Sequence, residues 1–194
     1  MIDWSRVVFE SPLEDAFARA IYKYLPETSD LSTQVEVATI CGTFRLDFLV
    51  TTNGGRKLAY ECDGAQFHDQ SRDEWRDAMI IGAGAVDSTV RIRGADIVYR
   101  LDDVLWILGQ WEPTLFSDRG RVNVDCLASE DAKVALLAPI DGGCVAYESI
   151  FLLRRNRKVP LGQREMWQAY FEFAKNFGGG SLDSVISGWR GRNR

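Results

Sequence analysis

Residues 44–68, FRLDFLVTTNGGRKLAYECDGAQFH, decide the fold class of this chain. Two apolar segments flank the turn sequence NGG at residues 53–55, a pattern typical of two antiparallel strands. Asp47 lies within the first segment, and Glu61 and Asp63, which share a face because they are two residues apart, end the second. Carboxylates in strands are costly to bury unless they are paired or bind a cation. The stretch therefore predicts a divalent metal site on a hairpin.

Alternation of apolar and polar residues continues upstream of this hairpin. Residues 35–39 alternate in the same way and are followed by a Cys-Gly turn, which predicts one more antiparallel strand. Because successive side chains of a strand point to opposite faces, Leu46 and Phe48 are expected on one face and Asp47 on the other.

Helical patterns surround the strands. Residues 11–25 begin with Ser-Pro and have helical apolar spacing, with Glu14 in the first turn, where an acid ordinarily complements the helix dipole. Residues 73–85 predict a second helix, residues 90–93 a β-branched strand and residues 102–111 a short amphipathic helix. The resulting order of helix, three strands, helix, strand and helix predicts a three-layer α/β/α domain with a mixed central sheet.

The second part of the chain has a less regular pattern. We expect a core domain over residues 1–111 and a C-terminal α+β extension over residues 112–194. Within the extension, VNVDCL at 122–127 and KVALLAPI at 133–140 have the appearance of short strands. Residues 164–177 predict a helix with an aromatic stripe. Such a stripe is either core or a surface for a protein partner or a second copy of the chain.

The C-terminal end carries most of the positive charge. From residue 154 onward there are nine Lys and Arg against three acids, although the whole chain has a net charge of −5. This distribution is compatible with nucleic-acid backbone binding by a basic surface, and a solvated basic helix with a short, partly disordered tail fits the charge equally well. The candidate nucleic-acid contacts in this segment are Arg154, Arg155, Arg157 and Lys158.

Composition narrows the class of protein further. With 46% hydrophobic and 26% charged residues, the chain can form an ordinary globular core. Its four cysteines form no CxxC pair and only one histidine accompanies them, which argues against a structural zinc site. The sequence has no signal-peptide pattern and no apolar run long enough to span a bilayer. We therefore expect a cytoplasmic protein that does not bind membranes.

The acids of the hairpin can supply a magnesium site. Mg²⁺ prefers oxygen ligands in octahedral geometry and keeps several waters, so that one or two carboxylates and a carbonyl are sufficient. Asp47, Glu61 and the backbone carbonyl of Cys62 can provide this set if the two strands are adjacent. Glu14, from a helix packed on the sheet, can complete it directly or through water. A cation there would polarise a phosphate and activate a bound water.

The ordered set of motifs resembles a known family. The segments concerned are Glu14, RLDF at 45–48, ECDG at 61–64, His68, DEWRD at 73–77, Gly84 and VRIR at 90–93. In this order, over about residues 10–110, they resemble the PD-(D/E)XK nuclease superfamily, and most closely its very-short-patch-repair-endonuclease-like branch.

The resemblance implies a restriction-endonuclease-like core and an enzyme that hydrolyses phosphodiester bonds with Mg²⁺ or Mn²⁺, with DNA favoured over RNA as substrate. Asp47 and Glu61 would be metal ligands, and Glu14 the helix acid. The biological role implied lies in repair, mobile elements or defence. Two alternatives stay open: an inactive nuclease fold that binds nucleic acid or a protein, and a nuclease active only within a complex.

The identity of the general base is open, because Asp63 stands where the wider superfamily has a lysine. His68 has a side chain whose unperturbed pKa lies near neutrality and can serve as base or acid. Gln66 can orient a water or the scissile phosphate. Arg76 can reach a phosphate, and a salt bridge to a neighbouring acid is an equally good interpretation.

Overall fold

A computed structural model of the protein describes residues 7, 9–64, 69–136, 144–146, 152–159, 163 and 165–192. Within this part, helices and strands alternate along the chain in the manner of a mixed α/β protein. The elements are, in chain order, α1 (Pro12–Tyr22), β1 (Asp30–Thr39), β2 (Gly42–Thr51), β3 (Lys57–Asp63), α2 (Gln70–Gly82), β4 (Ser88–Arg93), α3 (Gly94–Tyr99), α4 (Leu101–Trp111), α5 (Asp118–Leu127), α6 (Glu130–Leu136), β5 (Cys144–Ala146), β6 (Leu152–Arg157), α7 (Met166–Phe177) and α8 (Leu182–Arg192).

The strands form one mixed sheet. The described strands lie in the order β1-β2-β3-β4-β6-β5. β1, β2 and β3 are an antiparallel meander, β4 lies parallel to β3, and β6 is antiparallel to β4. A parallel neighbour needs a crossover connection, and α2 supplies it. The predicted mixed α/β class with three antiparallel strands, a helix and a further strand is confirmed.

Two hydrophobic cores lie on the two faces of the sheet. On one face, Phe17 and Ile21 of α1 pack with Tyr60 of β3 and with residues of α3 and α4. On the other face, Trp75 and Met79 of α2 pack with residues of β1, β2, α7 and α8. The two faces of β3 are therefore both covered, and a polar side chain on either face has to find a partner inside the protein.

The side-chain alternation of β2 changes within the strand. Leu46 packs in the core on the α2 face, whereas Phe48 packs in the core on the α1 face. The expectation that Leu46 and Phe48 share a face was therefore wrong. The change of face occurs at Asp47. The residue opposite it on β1 is Gln34, whose φ is positive at 52°. A left-handed residue breaks the regular pleat, and the change of face at this position coincides with it.

The chain after residue 111 shares the sheet and the core of the first part. β6 pairs with β4, and α7 packs against α2. The boundary between a core and an extension at this residue stays a prediction. Two local predictions in this region were wrong. Residues 122–127 were expected as a strand but lie in α5. Of residues 133–140, also expected as a strand, 133–136 lie in α6 and 137–140 lie outside the described residues.

The C-terminal tail also differs from the expectation. The segment that was predicted as a short, partly disordered basic end forms α8 over Leu182–Arg192. Its side chains Leu182, Val185 and Ile186 are buried in the core on the α2 face, so tertiary contacts hold this helix in place.

The aromatic stripe of α7 is largely internal. Tyr170 stacks on Trp75 of α2 with ring centroids 4.1 Å apart, and Phe173 meets the same ring edge-on at 6.1 Å. Trp189 of α8 contacts all three rings. The core interpretation of the stripe therefore accounts for most of it.

Every helix among the described residues is too short or too polar to cross a membrane.

The contact between α2 and α7 is close enough to test with one methyl group. A Cβ atom at Gly82 would lie 2.1 Å from the ring of Phe171. We therefore expect Gly82→Ala to lower the free energy of unfolding by about 1–3 kcal/mol, the usual effect of overpacking. Urea denaturation measures it. Gly191→Ala on α8, where a Cβ meets nothing within 4 Å, is the control and should be neutral or stabilising. Equal effects of both changes would contradict the packing argument.

Candidate functional site

The candidate site lies where β2 and β3 separate. Their backbone pairing ends at Phe48 and Tyr60. Beyond this point Asp47 bridges the two strands, because its carboxylate Oδ2 accepts a hydrogen bond from the backbone N–H of Cys62 at 2.8 Å. The two strands are therefore adjacent, which is the condition on which the predicted ligand set depends. The Asp47 carboxylate is fixed by the backbone rather than by a flexible side chain.

Glu14 approaches the same place from α1. Ser11 caps this helix, and its hydroxyl both accepts from the N–H of Glu14 at 3.3 Å and donates to the Glu14 carboxylate at 3.0 Å. The carboxylate also accepts from the backbone N–H of Glu10 at 3.1 Å and from Nε2 of Gln34 at 2.9 Å. Glu14 is therefore both a capping residue and a buried acid with a fixed orientation.

Glu61 lies on the α2 face of β3 and is 5% exposed. Arg76 of α2 donates to both of its carboxylate oxygens, at 2.8 and 3.4 Å, and also to the backbone carbonyl of Arg45. Burial raises the pKa of Glu61 to about 7, with the charge of Asp47 adding to the effect and that of Arg76 opposing it. Of the two interpretations of Arg76, the salt bridge is the one present in this structure.

Asp63, at the end of β3, belongs to a network around the buried side chain of Arg91. Arg91, which is 3% exposed, donates to both oxygens of Asp77 at 2.8 and 3.2 Å and to Asp63 at 3.4 Å. Asp73 lies 3.6 Å from the same guanidinium, and Asn156 of β6 donates to Asp77 at 3.1 Å. Burial alone would lower the pKa of Arg91, and the attraction of Asp77 outweighs it and raises the pKa. A permanent cation therefore stands behind Asp63, contributed by the neighbouring strand.

Electrostatics place four of the predicted acids in one neighbourhood. Burial raises the pKa of Asp47, and the charges of Glu14 and Asp63 raise it further, against the opposing hydrogen bond from Cys62. The thiol of Cys62 has its pKa raised by burial and then by Asp47, Glu14, Glu61 and Asp63 together. A site in which carboxylates repel one another in a buried setting favours binding of a cation.

The predicted ligands match a divalent cation in chemistry and charge. Carboxylate oxygens and a backbone carbonyl are the donors that Mg²⁺ prefers. Within the described part of the chain, however, no group of three or more His, Cys, Asp or Glu side chains is arranged to hold a metal ion. Arg76 pairs with Glu61, and the N–H of Cys62 donates to Asp47, so protein groups satisfy part of both carboxylates. The metal set of Asp47, Glu61, the Cys62 carbonyl and Glu14 stays a prediction.

Two predicted catalytic residues cannot be placed. Gln66 and His68 lie outside the residues that the structure describes. Their assignments as water or phosphate orienter and as base or acid therefore stay predictions.

Two of the predicted basic residues of β6, Arg155 and Arg157, do not lie beside the acids. Arg155 points to the opposite face of the sheet, where it donates to the carbonyl of Trp111 at 3.2 Å. Arg157 pairs with Ser88 of β4, whereas Glu61 pairs with Arg91 of the same strand. Ser88 and Arg91 are three residues apart, which separates Arg157 from Glu61 by about 10 Å along the strand direction.

The last two basic residues are placed only in part. Lys158 follows Arg157, with its backbone N–H donating to the carbonyl of Asp87 at 2.9 Å. The backbone of Arg154 pairs with Arg91, and its side chain lies outside the described part. Arg76 is thus the one predicted nucleic-acid contact that the described residues place next to the acids.

Sequence reasoning gave no role to Arg91, Asp77 and Gln34. A signal for Arg91 existed, because it is an arginine inside a β-branched strand that is buried from Ser88 to Ile92. An ionised residue at such a position needs a buried partner. Gln34 carries no comparable signal, since a polar residue in an alternating strand ordinarily faces solvent.

Titration of Glu61 has a consequence for stability. Its pKa in the folded protein, about 7, lies above its ordinary value of 4.5. The folded state therefore binds this proton more tightly than the unfolded state, and the contribution of Glu61 to stability falls as the pH rises from about 4.5 to 7. In urea denaturation with EDTA present, we expect the stability of Glu61→Gln relative to the wild type to increase over this interval. Asp15→Asn, at an exposed acid of α1, is the control, and its stability relative to the wild type should stay constant. A stability difference between Glu61→Gln and the wild type that does not change with pH would contradict the raised pKa of Glu61.

Comparison with known proteins adds nothing to these observations. No protein-family model, no curated protein and no solved structure matches the chain. A function for the site has to be argued from its own residues.

Proposed function

We propose that this protein is a metal-dependent endonuclease that uses Mg²⁺ or Mn²⁺ to hydrolyse phosphodiester bonds, with DNA as the preferred substrate. The observation that carries the proposal is the cluster of acids where the pairing of β2 and β3 stops, in which Glu14 and Glu61 are buried. Asp47 and Glu61 lie on adjacent strands, Glu14 joins them from α1, and the pKa values of Asp47 and Glu61 are raised. Such a cluster is unfavourable unless a function requires it.

The order of elements supports the same proposal. A helix, three antiparallel strands, a crossover helix and a strand parallel to β3 form the order expected of a restriction-endonuclease-like core. Asp47 lies in the middle of β2, where its pairing with β3 stops, and Glu61 lies near the end of β3. These are the positions to which the resemblance assigns the metal ligands.

Each side chain has a defined part in the proposed reaction. Asp47, Glu61, the carbonyl of Cys62 and Glu14 would hold the cation, which would supply Lewis-acid activation of water and phosphate. The planar guanidinium of Arg76 is suited to bind a phosphate oxygen once it leaves Glu61.

Asp63 would act from a fixed position. Arg91 orients its carboxylate from the adjacent strand. Arg91 also places a positive charge behind the position at which the wider superfamily has a lysine.

A second candidate function is favoured by one observation. Arg76 pairs with Glu61 at 2.8 Å, so this carboxylate has a cationic partner within the protein. A nuclease fold that only binds nucleic acid or a protein, or a nuclease completed by a partner, agrees with this ion pair. For a partner or a second copy, α7 exposes the large hydrophobic side chains of Met166 and Phe177.

A cleavage assay with a substrate panel tests the proposal. Supercoiled and linear duplex DNA, single-stranded DNA and RNA are incubated with the protein in Mg²⁺, in Mn²⁺ and in EDTA. We expect metal-dependent nicking or cleavage of DNA that is absent from Glu61→Ala prepared in parallel. A wild-type protein that cleaves none of these substrates and binds no metal in calorimetry would contradict the proposal. Nucleic-acid binding insensitive to EDTA and to Glu61→Ala would favour the second candidate.

A further inference from the structure

Gln34 of β1 adopts a backbone conformation that its side chain does not favour. Its φ of 52° is the one positive φ of a non-glycine residue in the described part of the chain. It lies opposite Asp47, between the register pairs of Thr33 with Phe48 and Val35 with Leu46. Left-handed backbone at a residue other than Gly, Asn or Asp is uncommon, and such residues cluster at functional sites.

The side chain of Gln34 has one satisfied end and one unsatisfied end. A carboxylate only accepts hydrogen bonds, so the contact with Glu14 at 2.9 Å assigns Nε2 to the Glu14 side and Oε1 to the other. Oε1 is buried and has no hydrogen-bond partner among the described residues. A buried acceptor without a partner is costly, and it indicates a missing water, ion or ligand.

We propose that Gln34 is a further ligand of the metal site, with its amide oxygen binding the cation directly or through one water while its amide nitrogen holds Glu14 in place. Amide carbonyl oxygens belong to the ligand types of hard divalent cations. Glu14, the hydrogen-bond partner of Gln34, interacts electrostatically with Asp47. The left-handed backbone at Gln34 is a local distortion of β1 at the residue whose side chain reaches Glu14. This inference rests on the proposed function.

Two substitutions separate a ligand from a residue that only orients Glu14. Gln34→Met keeps the length of the side chain and loses both the amide oxygen and the N–H donor. Gln34→Glu loses the donor and keeps an oxygen ligand. If Gln34 only orients Glu14, both changes weaken metal binding. If Gln34 is a ligand, Gln34→Met weakens metal binding, whereas in Gln34→Glu the retained and now charged oxygen ligand offsets the lost hydrogen bond to Glu14.

The measurement is titration calorimetry of Mn²⁺ into the full chain without nucleic acid, together with thermal unfolding in EDTA. We expect Gln34→Met to lower the affinity about tenfold or more, and Gln34→Glu to stay close to the wild type. In EDTA we expect the opposite ranking in unfolding temperature, with Gln34→Glu below Gln34→Met. The carboxylate that Gln34→Glu introduces would repel Glu14, so this variant should unfold at the lower temperature.

The outcomes distinguish this inference from the proposed function. A wild-type protein that binds Mn²⁺ and a Gln34→Met variant that binds it equally well would overturn the role of Gln34 alone. Equal losses in both variants would reduce Gln34 to an orienting residue and overturn its role as a ligand. A wild-type protein that binds no Mn²⁺ would overturn both the inference and the proposed function.

Discussion

Replacement of Asp47 by Asn is expected to reduce metal-dependent cleavage by about a hundredfold or more, while the protein remains folded. The Asn side chain has the same size and can still accept the hydrogen bond from the N–H of Cys62. It loses the negative charge with which Asp47 would attract a divalent cation. Burial and the neighbouring acids raise the pKa of Asp47, so removal of the charge also relieves repulsion. We therefore expect an unchanged or higher unfolding temperature.

The combination of lost activity and retained stability is the informative part of this experiment. Single-turnover cleavage rates and thermal unfolding in EDTA are measured on the same preparations. Asp15→Asn, which removes an exposed carboxylate from α1, is the matched control and should cleave like the wild type. An Asp47→Asn variant that cleaves at the wild-type rate would exclude Asp47 as a ligand. A variant that unfolds would reveal a structural role instead.

Arg76 adds a competition to this picture. Its guanidinium holds Glu61 and the carbonyl of Arg45, and it lies 5.9 Å from the ring centroid of Phe44. Under the proposed function, a cation would compete with this guanidinium for the carboxylate oxygens of Glu61. A guanidinium released from Glu61 would then be available for a phosphate oxygen. The same ion pair therefore agrees with an inactive module. It also agrees with a nuclease in which Arg76, the proposed phosphate contact, is paired with Glu61, a proposed metal ligand.

Local sequence signals explain why the central elements were predictable. The NGG turn at residues 53–55 and the alternation on both sides of it specify a hairpin by local chemistry alone. Ser11 and Pro12 start α1 by a cap and a pre-set φ, again without long-range contacts. The acids at the strand ends could be predicted to meet because adjacent strands align their residues across a known distance.

Where the prediction failed, a tertiary contact decided the structure. Val122 and Val124 suggested a strand, but the segment is helical and buries Gly120 and Val124, which are four residues apart. A Cβ atom at Gly120 would lie 2.5 Å from the backbone carbonyl of Tyr24, so this helix is defined by close packing on a distant segment. Neither the alternation nor the β-branched residues carry that information.

The network around Arg91 escaped prediction for the same reason, and it gives the second large effect. Arg91→Met is expected to lower the free energy of unfolding by about 3–5 kcal/mol, because it leaves buried acids without their cation. Asp77 is the acid most affected, since its side chain is 3% exposed and Arg91 donates to both of its oxygens. Urea denaturation at neutral pH measures the loss.

A matched arginine on the surface serves as the control for this change. Arg72→Met removes the ion pair with Asp183, in which the side chain of Arg72 is 52% exposed and that of Asp183 is 75% exposed. This change should lower the free energy of unfolding by less than about 1 kcal/mol. Adding Asp77→Asn to Arg91→Met removes one uncompensated charge and should restore part of the stability. A loss for Arg91→Met as small as that for Arg72→Met would contradict a network held by a buried cation. It would also remove the argument that Asp63 is oriented from the neighbouring strand, because an arginine that contributes so little cannot fix a carboxylate at the site.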